Sequence, residues 1–194
     1  DGGLNWNNIS DGYFKSPSIG SIDVFQKDPS VLFVGTGSDG IRSNVIVGKG
    51  VYKSKDSGSS WEFVGLENTG QIGAVKIHPE NPDTVYVAAI GQAFQPNSER
   101  GLYKTTDGGK TWENVLFISD KIGIVDFEFS PENPDILYAA SWEVDRKPWT
   151  IISGSKAGGI YKSMDAGKSW IKLSEGLPTG NIGKIDLAVT PADP

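Results

Sequence analysis

The chain has 194 residues and a formal net charge of −6, with 24 acidic and 18 basic side chains. This length is enough for a domain with a sizeable core, and the absence of any run of lysine or arginine argues against a nucleic-acid-binding surface. There are 25 glycines, 11 prolines and six tryptophans but no cysteine. Abundant turns favour an all-β fold, disulfides are excluded, and no apolar run reaches the roughly 20 residues that a membrane-spanning helix needs.

The chain opens at Asp1 with the stretch DGGLNW and without a methionine, so we expect it to be an internal piece of a longer protein. Related stretches follow as DSGSSW, DGGKTW and DAGKSW. The motif D-x-G-x-x-W therefore recurs about every 50 to 60 residues, which is typical of repeat architectures. Two further markers recur in the same phase, namely a DP or NPD turn that ends with the ADP of Pro194, and the pattern G-[VIL]-Y-K-[ST].

Each repeat predicts four antiparallel strands. The first begins with Ile-Gly, the second is almost continuously apolar, the third carries the Tyr-Lys pair, and the fourth follows the tryptophan of the motif. No window shows a convincing helical period. We therefore predict an all-β fold: a β-propeller segment of about three four-stranded antiparallel blades with flanking strands, forming an open arc of a larger propeller. The expected blades are residues 19–66, 67–117 and 118–177, preceded by the fourth strand of another blade within residues 1–18 and followed by a first strand within residues 178–194.

The stretch TTDGGKTW ends like a nucleotide-binding P-loop, but the spacing excludes one. A P-loop needs a glycine five residues before Gly109, where Lys104 stands, and it must open a helix. A structural turn explains the residues better, because an aspartate can accept hydrogen bonds from backbone N–H groups shortly after it. The following glycine can adopt a positive φ, and the tryptophan can bury its ring between blades. The residues that carry this prediction are Asp56, Gly58, Trp61, Asp107, Gly109, Trp112, Asp165, Gly167 and Trp170.

These motif copies fit the pattern S/T-x-D-x-G-x-[ST]-W and resemble the Asp-box, or BNR, repeats of sortilin-like and sialidase-like β-propellers. The phrases GLYKTTDGGKTWENVLF and NPDILYAASWEVDRKPWT look most similar to large bacterial sortilin-like or glycosyl-hydrolase-like repeat proteins. The resemblance implies that the Asp-boxes are structural and lie away from the ligand face. It also implies a secreted, periplasmic or cell-surface location, and packing against the remaining blades of the same chain.

In such propellers, the connections from the second to the third strand lie on the face that carries ligand sites, and here they are residues 37–49, 90–100 and 142–158. The last one combines two tryptophans with charged groups, which suits sugar or peptide recognition. Alternatively, its tryptophans pack the loop onto its own blade. The candidate ligand-binding residues are Trp142, Trp149, Arg146, Arg100 and Arg42.

Two functions remain open at this point. The sortilin resemblance implies a non-enzymatic binding or scaffold module for protein, peptide or carbohydrate partners. The sialidase and xyloglucanase resemblance implies a glycoside hydrolase fragment, whose catalytic pair would lie partly outside this segment. Hydrolysis requires two carboxylates that converge across a cleft, and the weak candidates here are Asp145 and Glu143. No motif indicates a cofactor, and the single histidine, His78, does not make a metal site by itself.

Overall fold

The computed structural model describes residues 2–191, so Asp1 and the turn marker at Pro194 lie outside the described residues. Within this range the chain forms β-strands joined by turns and contains no helix. The strand bounds are β1 Ile19–Val24, β2 Leu32–Thr36, β3 Val51–Ser54, β4 Glu62–Phe63, β5 Gln71–His78, β6 Asn81–Gly91, β7 Gly101–Thr105, β8 Glu113–Leu116, β9 Ile122–Phe129, β10 Leu137–Lys147, β11 Thr150–Ser153, β12 Gly159–Ser163 and β13 Ile171–Lys172. These strands make three antiparallel sheets, in the orders β1-β2-β3-β4, β5-β6-β7-β8 and β11-β10-β12-β13, with β9 paired to β10.

Neighbouring sheets pack through their first strands. Asp23 on β1 accepts a hydrogen bond from the backbone N–H of Ile77 on β5, at 2.7 Å. The equivalent residue on β9, Asp126, accepts one from the N–H of Leu187 at 2.8 Å. At the same position of β5, Lys76 forms an ion pair with Glu128 of the next sheet. The same side-chain position therefore links each sheet to the next one. Residues around Leu187 lie where the first strand of a following sheet would be.

The glycine after the first isoleucine marks a close approach of two first strands in the first two repeats. A Cβ added to Gly20 would lie 2.0 Å from the carbonyl oxygen of Ile72, and one added to Gly73 would lie 2.2 Å from that of Val125. At these positions only glycine leaves room for the neighbouring backbone. The glycines of the first two Ile-Gly pairs are thus required for packing between sheets.

The lysine of the repeated Tyr-Lys pair also has a structural use, which the sequence alone does not reveal. Lys53 lies 5.0 Å from the ring centre of Phe33 in its own sheet, and its Nζ is 3.3 Å from Asp83 in the next. Lys104 repeats this arrangement, since it lies over Tyr86 at 5.2 Å and donates to the carbonyl of Ala166 at 2.9 Å. The ammonium groups stabilise the packing of one sheet on the next.

The D-x-G-x-x-W turns share one hydrogen-bond pattern. In the middle turn, Asp107 Oδ1 accepts from the N–H of Thr111 at 3.0 Å, and Oδ2 accepts from its hydroxyl at 2.7 Å. The Thr105 hydroxyl donates to Asp107 Oδ1 at 2.7 Å and accepts from the Gly109 N–H at 3.0 Å. The first and third turns repeat these contacts around their own aspartates. Each carboxylate is occupied within its own turn, which supports the structural role proposed from the sequence.

These contacts favour the charged form of the carboxylate. The hydroxyl of Ser169 makes the largest contribution to lowering the pKa of Asp165 to about 2, followed by the backbone N–H of Ser169 and the hydroxyl of Ser163. The pKa values of Asp107 and Asp56 are lowered for the same reason. The aspartate carboxylates of all three turns are therefore fully charged at neutral pH.

A further feature of these turns depends on the tertiary structure. The residue after each aspartate also has a positive φ, which is 58° at Ser57 and 57° at Ala166. Its backbone N–H donates to a carbonyl in the turn between the first and second strands, for example from Ala166 to Asp135 at 2.8 Å. The same bond runs from Ser57 to Ser30 at 3.1 Å. This hydrogen bond joins two turns that are far apart in sequence. It explains why the D-x-G-x-x-W motif and the DP or NPD turn recur in the same phase.

The tryptophans of the turns are less uniformly buried than the sequence predicts. Trp61 is buried, and its indole N–H donates to the carbonyl of Ile9 at 2.9 Å. Trp112 donates to the carbonyl of Val64 in the preceding sheet at 2.7 Å but is only half-buried, as is Trp170. Both rings pack against the core of the preceding sheet.

Two parts of the predicted strand layout differ from the structure. The connection 142–158 is largely a β-hairpin, in which β10 extends to Lys147 and β11 pairs with it. Residues 2–18 and 178–191, where we expected one strand each, contain no regular strand. A strand forms through backbone hydrogen bonds to a neighbour, and no described strand pairs with either segment. The blade boundaries 19–66, 67–117 and 118–177 remain a proposal, which the grouping of strands into sheets supports.

Candidate ligand-binding face formed by the loops

The connections between second and third strands meet at one edge of the sheets. We call residues 37–50, 92–100 and 142–158 together the loop face. Arg146 joins its three parts, because its backbone N–H donates to the carbonyl of Ala93 at 2.7 Å and its Nε donates to the carbonyl of Arg42 at 3.4 Å. The three connections expected to carry ligand sites are therefore in direct contact with one another.

A small apolar cluster supports the loop face from below. Ile41, Ala93, Trp142 and Val144, which come from all three connections, are buried against β6 and β9. Trp142 is 4% exposed, and its indole N–H donates to the hydroxyl of Ser153 at 3.0 Å. Trp142 thus packs the hairpin onto its own blade. Of the two interpretations that the sequence left open, ligand recognition and packing of the loop, Trp142 fits the second.

Trp149 has the opposite environment. It lies between β10 and β11, at the tip of the hairpin, and is 81% exposed. Further apolar side chains on this face are exposed as well, namely Ile151 and Ile152 on β11 and Phe94 in the second connection. Exposed aromatic and aliphatic groups on a rigid two-stranded support are well placed to bury surface against a partner. They make the hairpin the most prominent apolar feature of the loop face.

Arg100, a candidate ligand-binding residue, lies inside the loop face and is 1% exposed. Its terminal nitrogens donate to the carbonyls of Lys121 at 2.9 Å, Gln92 at 2.7 Å and Val144 at 3.1 Å. Burial lowers the pKa of Arg100. These contacts make Arg100 a support of the loops and leave it unable to reach a ligand at the surface, so its geometry does not fit the ligand-binding role expected from the sequence.

Glu143 and Asp145, the carboxylates considered for catalysis, stand side by side on β10. Both line a cavity of about 100 Å³, together with Arg100, Lys121 and Ile152. Asp145 Oδ2 forms an ion pair with Lys147 at 2.8 Å. We call this space the polar cavity. Its volume is well below the roughly 300 Å³ at which small-molecule pockets begin, and its two carboxylates come from one strand instead of facing each other across a cleft.

The remaining predictions for the site concern Arg42, metals and membranes. Arg42 is exposed, and it contributes its backbone carbonyl to the contact with Arg146. Among residues 2–191, no group of His, Asp or Glu side chains has an arrangement that suits a metal ion. The part of the chain that the structure describes also contains no helix long and apolar enough to cross a membrane.

Sequence reasoning missed two features of this face. It did not identify Ile151 and Ile152 as part of an exposed hairpin, although the alternation in WEVDRK and the turn residue Pro148 are signals for one. It also did not identify Lys121, which precedes β9 and whose backbone carbonyl accepts a hydrogen bond from the buried Arg100 beside the polar cavity. For Lys121 the sequence holds no signal, because its place depends on how two sheets pack.

Three antiparallel sheets that pack in chain order through their first strands define this chain as a segment of a β-propeller. The family model named Sortilin-Vps10 and described as "Sortilin, neurotensin receptor 3" matches residues 49–183, and the chain belongs to this family.

Solved structures of GH74 enzymes have the same fold. An ancestral GH74 enzyme aligns over 88% of this chain and 19% of its own, with a TM-score of 0.57 and 16% identity. The GH74 enzyme of Niastella koreensis aligns over 79% and 21%, with a TM-score of 0.56 and 22% identity.

Curated relatives differ in what their names describe. A xyloglucanase from Paenibacillus sp is 25% identical over 155 residues, which are 75% of this chain and 14% of the relative. The photosystem II assembly protein Ycf48 of Thermosynechococcus vestitus is 26% identical over 159 residues, or 80% of this chain and 37% of the relative. The vacuolar protein sorting/targeting protein 10 of Colletotrichum graminicola is 32% identical over 85 residues, or 44% and 5%. The chain thus spans only a small part of each relative.

Proposed function

We propose that this chain is a non-enzymatic binding module whose loop face holds an extended peptide segment of a protein partner. The observation that carries the proposal is the β10–β11 hairpin, with Trp149 81% exposed at its tip and Ile151 and Ile152 exposed beside it. Such apolar groups gain most when a partner covers them. The hairpin is fixed to the other connections by Arg146, so little order needs to be imposed when a partner binds.

The family and two relatives agree with this proposal. Two of the relatives are named for protein sorting and for assembly of a protein complex, which are tasks that depend on binding other proteins. Those names describe whole proteins much longer than this chain. A secreted, periplasmic or cell-surface location is part of the same proposal and rests on the family resemblance.

A glycoside hydrolase fragment is the second candidate, and the name of the xyloglucanase relative favours it. The carboxylates of the loop face do not favour it. Glu143 and Asp145 lie in a cavity of about 100 Å³, and Asp145 is paired with Lys147. A glycosidase needs an acid and a second carboxylate on opposite sides of a sugar. Any hydrolysis would therefore require residues beyond these two.

A selection from a random peptide library tests the first candidate. The 194-residue chain is expected to enrich peptides whose binding is lost in Trp149→Ala. Trp6→Ala is the matched control, because Trp6 is 87% exposed but lies near the start of the chain, away from the loop face. Peptides that bind the parent and both variants equally well would contradict a role for the hairpin. Turnover of xyloglucan that is lost in Asp145→Ala would favour the second candidate instead.

A further inference from the structure

The face of the third sheet that points away from the second sheet is less completely covered than the equivalent faces of the first two sheets. Two repeated positions show the difference, one on each second strand and one on each third strand. The four residues at these positions in the first two sheets are at most 1% exposed, whereas the two in the third sheet are half-buried. The residues are Phe33, Tyr86 and Tyr138 on the second strands, and Val51, Leu102 and Ile160 on the third strands.

The cover of the first two sheets comes from the second strand of the sheet that follows. Val85 and Val87 on β6 pack in one cluster with Phe33 and Val51 of the first sheet. These two valines stand at alternate positions of a strand that runs antiparallel to β5. The contact between the second and third sheets repeats the arrangement, with Leu137 and Ala139 packed against Tyr86 and Leu102. The same kind of strand therefore fills the same place twice within this chain.

Two adjoining cavities lie at the uncovered face of the third sheet. Their volumes are about 650 Å³ and 560 Å³, and Ile160, Leu173 and Leu177 line both of them. Tyr138 lines the second cavity, and residues 182–190 contribute to the walls of both. We call the two cavities together the outer groove. Each is within the range of roughly 300–1,000 Å³ that is usual for binding sites, so the outer groove has room for several side chains.

One wall of the outer groove has the alternation of a β-strand. Ile185, Leu187 and Val189 are half-buried, and the residues between them are exposed. The backbone N–H of Leu187 bonds to Asp126 on β9, in the way that β5 is joined to β1. Both β5 and β9 pair with a second strand, but no described strand pairs with residues 184–189. This segment is therefore prepared for pairing with an extended strand.

Lys162 adds a positive charge beside this face. Its ammonium lies over the tyrosine ring of its own sheet, 5.3 Å from the ring centre. The lysines at the same position in the first two sheets also reach the following sheet, since Lys53 pairs with Asp83 and Lys104 donates to the carbonyl of Ala166. Among the described residues, Lys162 has no ion pair. An acidic residue on a strand in the outer groove would provide one.

We propose that the outer groove binds the second strand of a further repeat of this type. The strand has the pattern Asp-x-apolar-x-apolar, which β6 shows at residues 83–87. It runs antiparallel to residues 184–189, its two apolar side chains cover the half-buried residues of the third sheet, and its aspartate pairs with Lys162. Two equivalent contacts within the chain favour this occupant over other apolar partners. The outer groove is separate from the loop face, so this inference does not depend on the proposed function.

A peptide supplied in solution tests the inference. The probe is fluorescein-labelled NPDTVYVAA, the sequence of residues 81–89, and fluorescence anisotropy measures its binding to the 194-residue chain. Saturable binding is expected. A control peptide with Val85→Ser and Val87→Ser is expected to bind more than tenfold more weakly, because both buried apolar side chains are lost. Hydrogen exchange should become slower in residues 184–189 when the peptide binds, and it should not change in the hairpin of the loop face.

A charge exchange tests the pairing with Lys162. Lys162→Glu is expected to weaken binding of the peptide by about fivefold or more, since an ion pair is replaced by a repulsion. A peptide with Asp83→Lys is expected to prefer this variant over the parent chain. Lys168→Glu is the matched control, because Lys168 is exposed and does not line the outer groove; it should bind the unchanged peptide like the parent. Thermal melts check that both variants are folded.

Several outcomes would overturn the inference. It is wrong if the peptide does not bind, if the serine peptide binds equally well, or if slower exchange appears in residues 142–158 instead of 184–189. Equal binding of both charged peptides to the parent and to Lys162→Glu would refute the ion pair. Self-association of the chain that the peptide displaces would show that a second copy fills the outer groove, which also contradicts the assignment. The proposed function is judged separately, because Trp149→Ala should abolish binding of library peptides and leave binding of NPDTVYVAA unchanged.

Discussion

Replacement of Gly73 by alanine is expected to weaken the contact between the second sheet and the third. Gly73 lies on β5, and an added Cβ would lie 2.2 Å from the carbonyl oxygen of Val125 on β9. Ordinary contacts are longer by more than 1 Å, and the atom that would have to move is backbone. We expect the free energy of unfolding to fall by about 2–3 kcal/mol, the upper part of the range of about 1–3 kcal/mol for overpacking, because the backbone must shift.

The matched control is Gly183→Ala. Gly183 holds the same position in the last Ile-Gly pair, but nothing lies within 4 Å of the Cβ that would be added. It is expected to leave stability unchanged or to raise it by about 0.5 kcal/mol, because alanine restricts the unfolded chain.

Urea denaturation followed by tryptophan fluorescence measures both variants, and thermal melts should show a loss of about 2–4 °C per kcal/mol for a chain of this size. If Gly73→Ala were as stable as the parent, or if Gly183→Ala were equally destabilised, the assignment of these glycines to contacts between sheets would be wrong.

Three further predictions concern the turns, the tryptophans and catalysis. Asp165 has a pKa of about 2 in the folded chain and about 3.9 when unfolded, so its contribution to stability is complete above about pH 4 and is lost as the pH falls towards 2. Asp165→Asn should therefore flatten the pH dependence of the urea midpoint in that window. An unchanged slope would refute the role of the Asp165 carboxylate in the turn. Trp61→Phe should lower the free energy of unfolding by about 1–2 kcal/mol, because the bond to the Ile9 carbonyl and part of a buried ring are lost, whereas Trp6→Phe at an exposed site should not change the urea midpoint. Incubation of the chain with xyloglucan or sialosides should release no reducing sugar or sialic acid above a heat-denatured sample, and measurable release would favour the hydrolase candidate.

The fold and the repeated turns were accessible from the sequence because their causes are local or periodic. The hydrogen bonds of Asp107 reach only from Thr105 to Thr111, so a short motif contains every atom that it needs. The recurrence of three markers in one phase predicted the all-β propeller, and the sheets and the family confirm it. The same phase also gave the positions of the three connections, although the third of them folds largely as a β-hairpin.

The roles of individual side chains on the loop face were decided only by the tertiary structure. Trp142 and Trp149 look alike in the sequence, yet one is 4% and the other 81% exposed, because alternate positions of a hairpin and its tip face different surroundings. Arg100 was a candidate ligand-binding residue and is buried among carbonyls from three segments. Gly73 and Gly183 share one motif, but only Gly73 has a neighbouring backbone against it. Burial depends on contacts between residues that are far apart in sequence, and a repeat pattern states which residues are equivalent without stating what covers each of them.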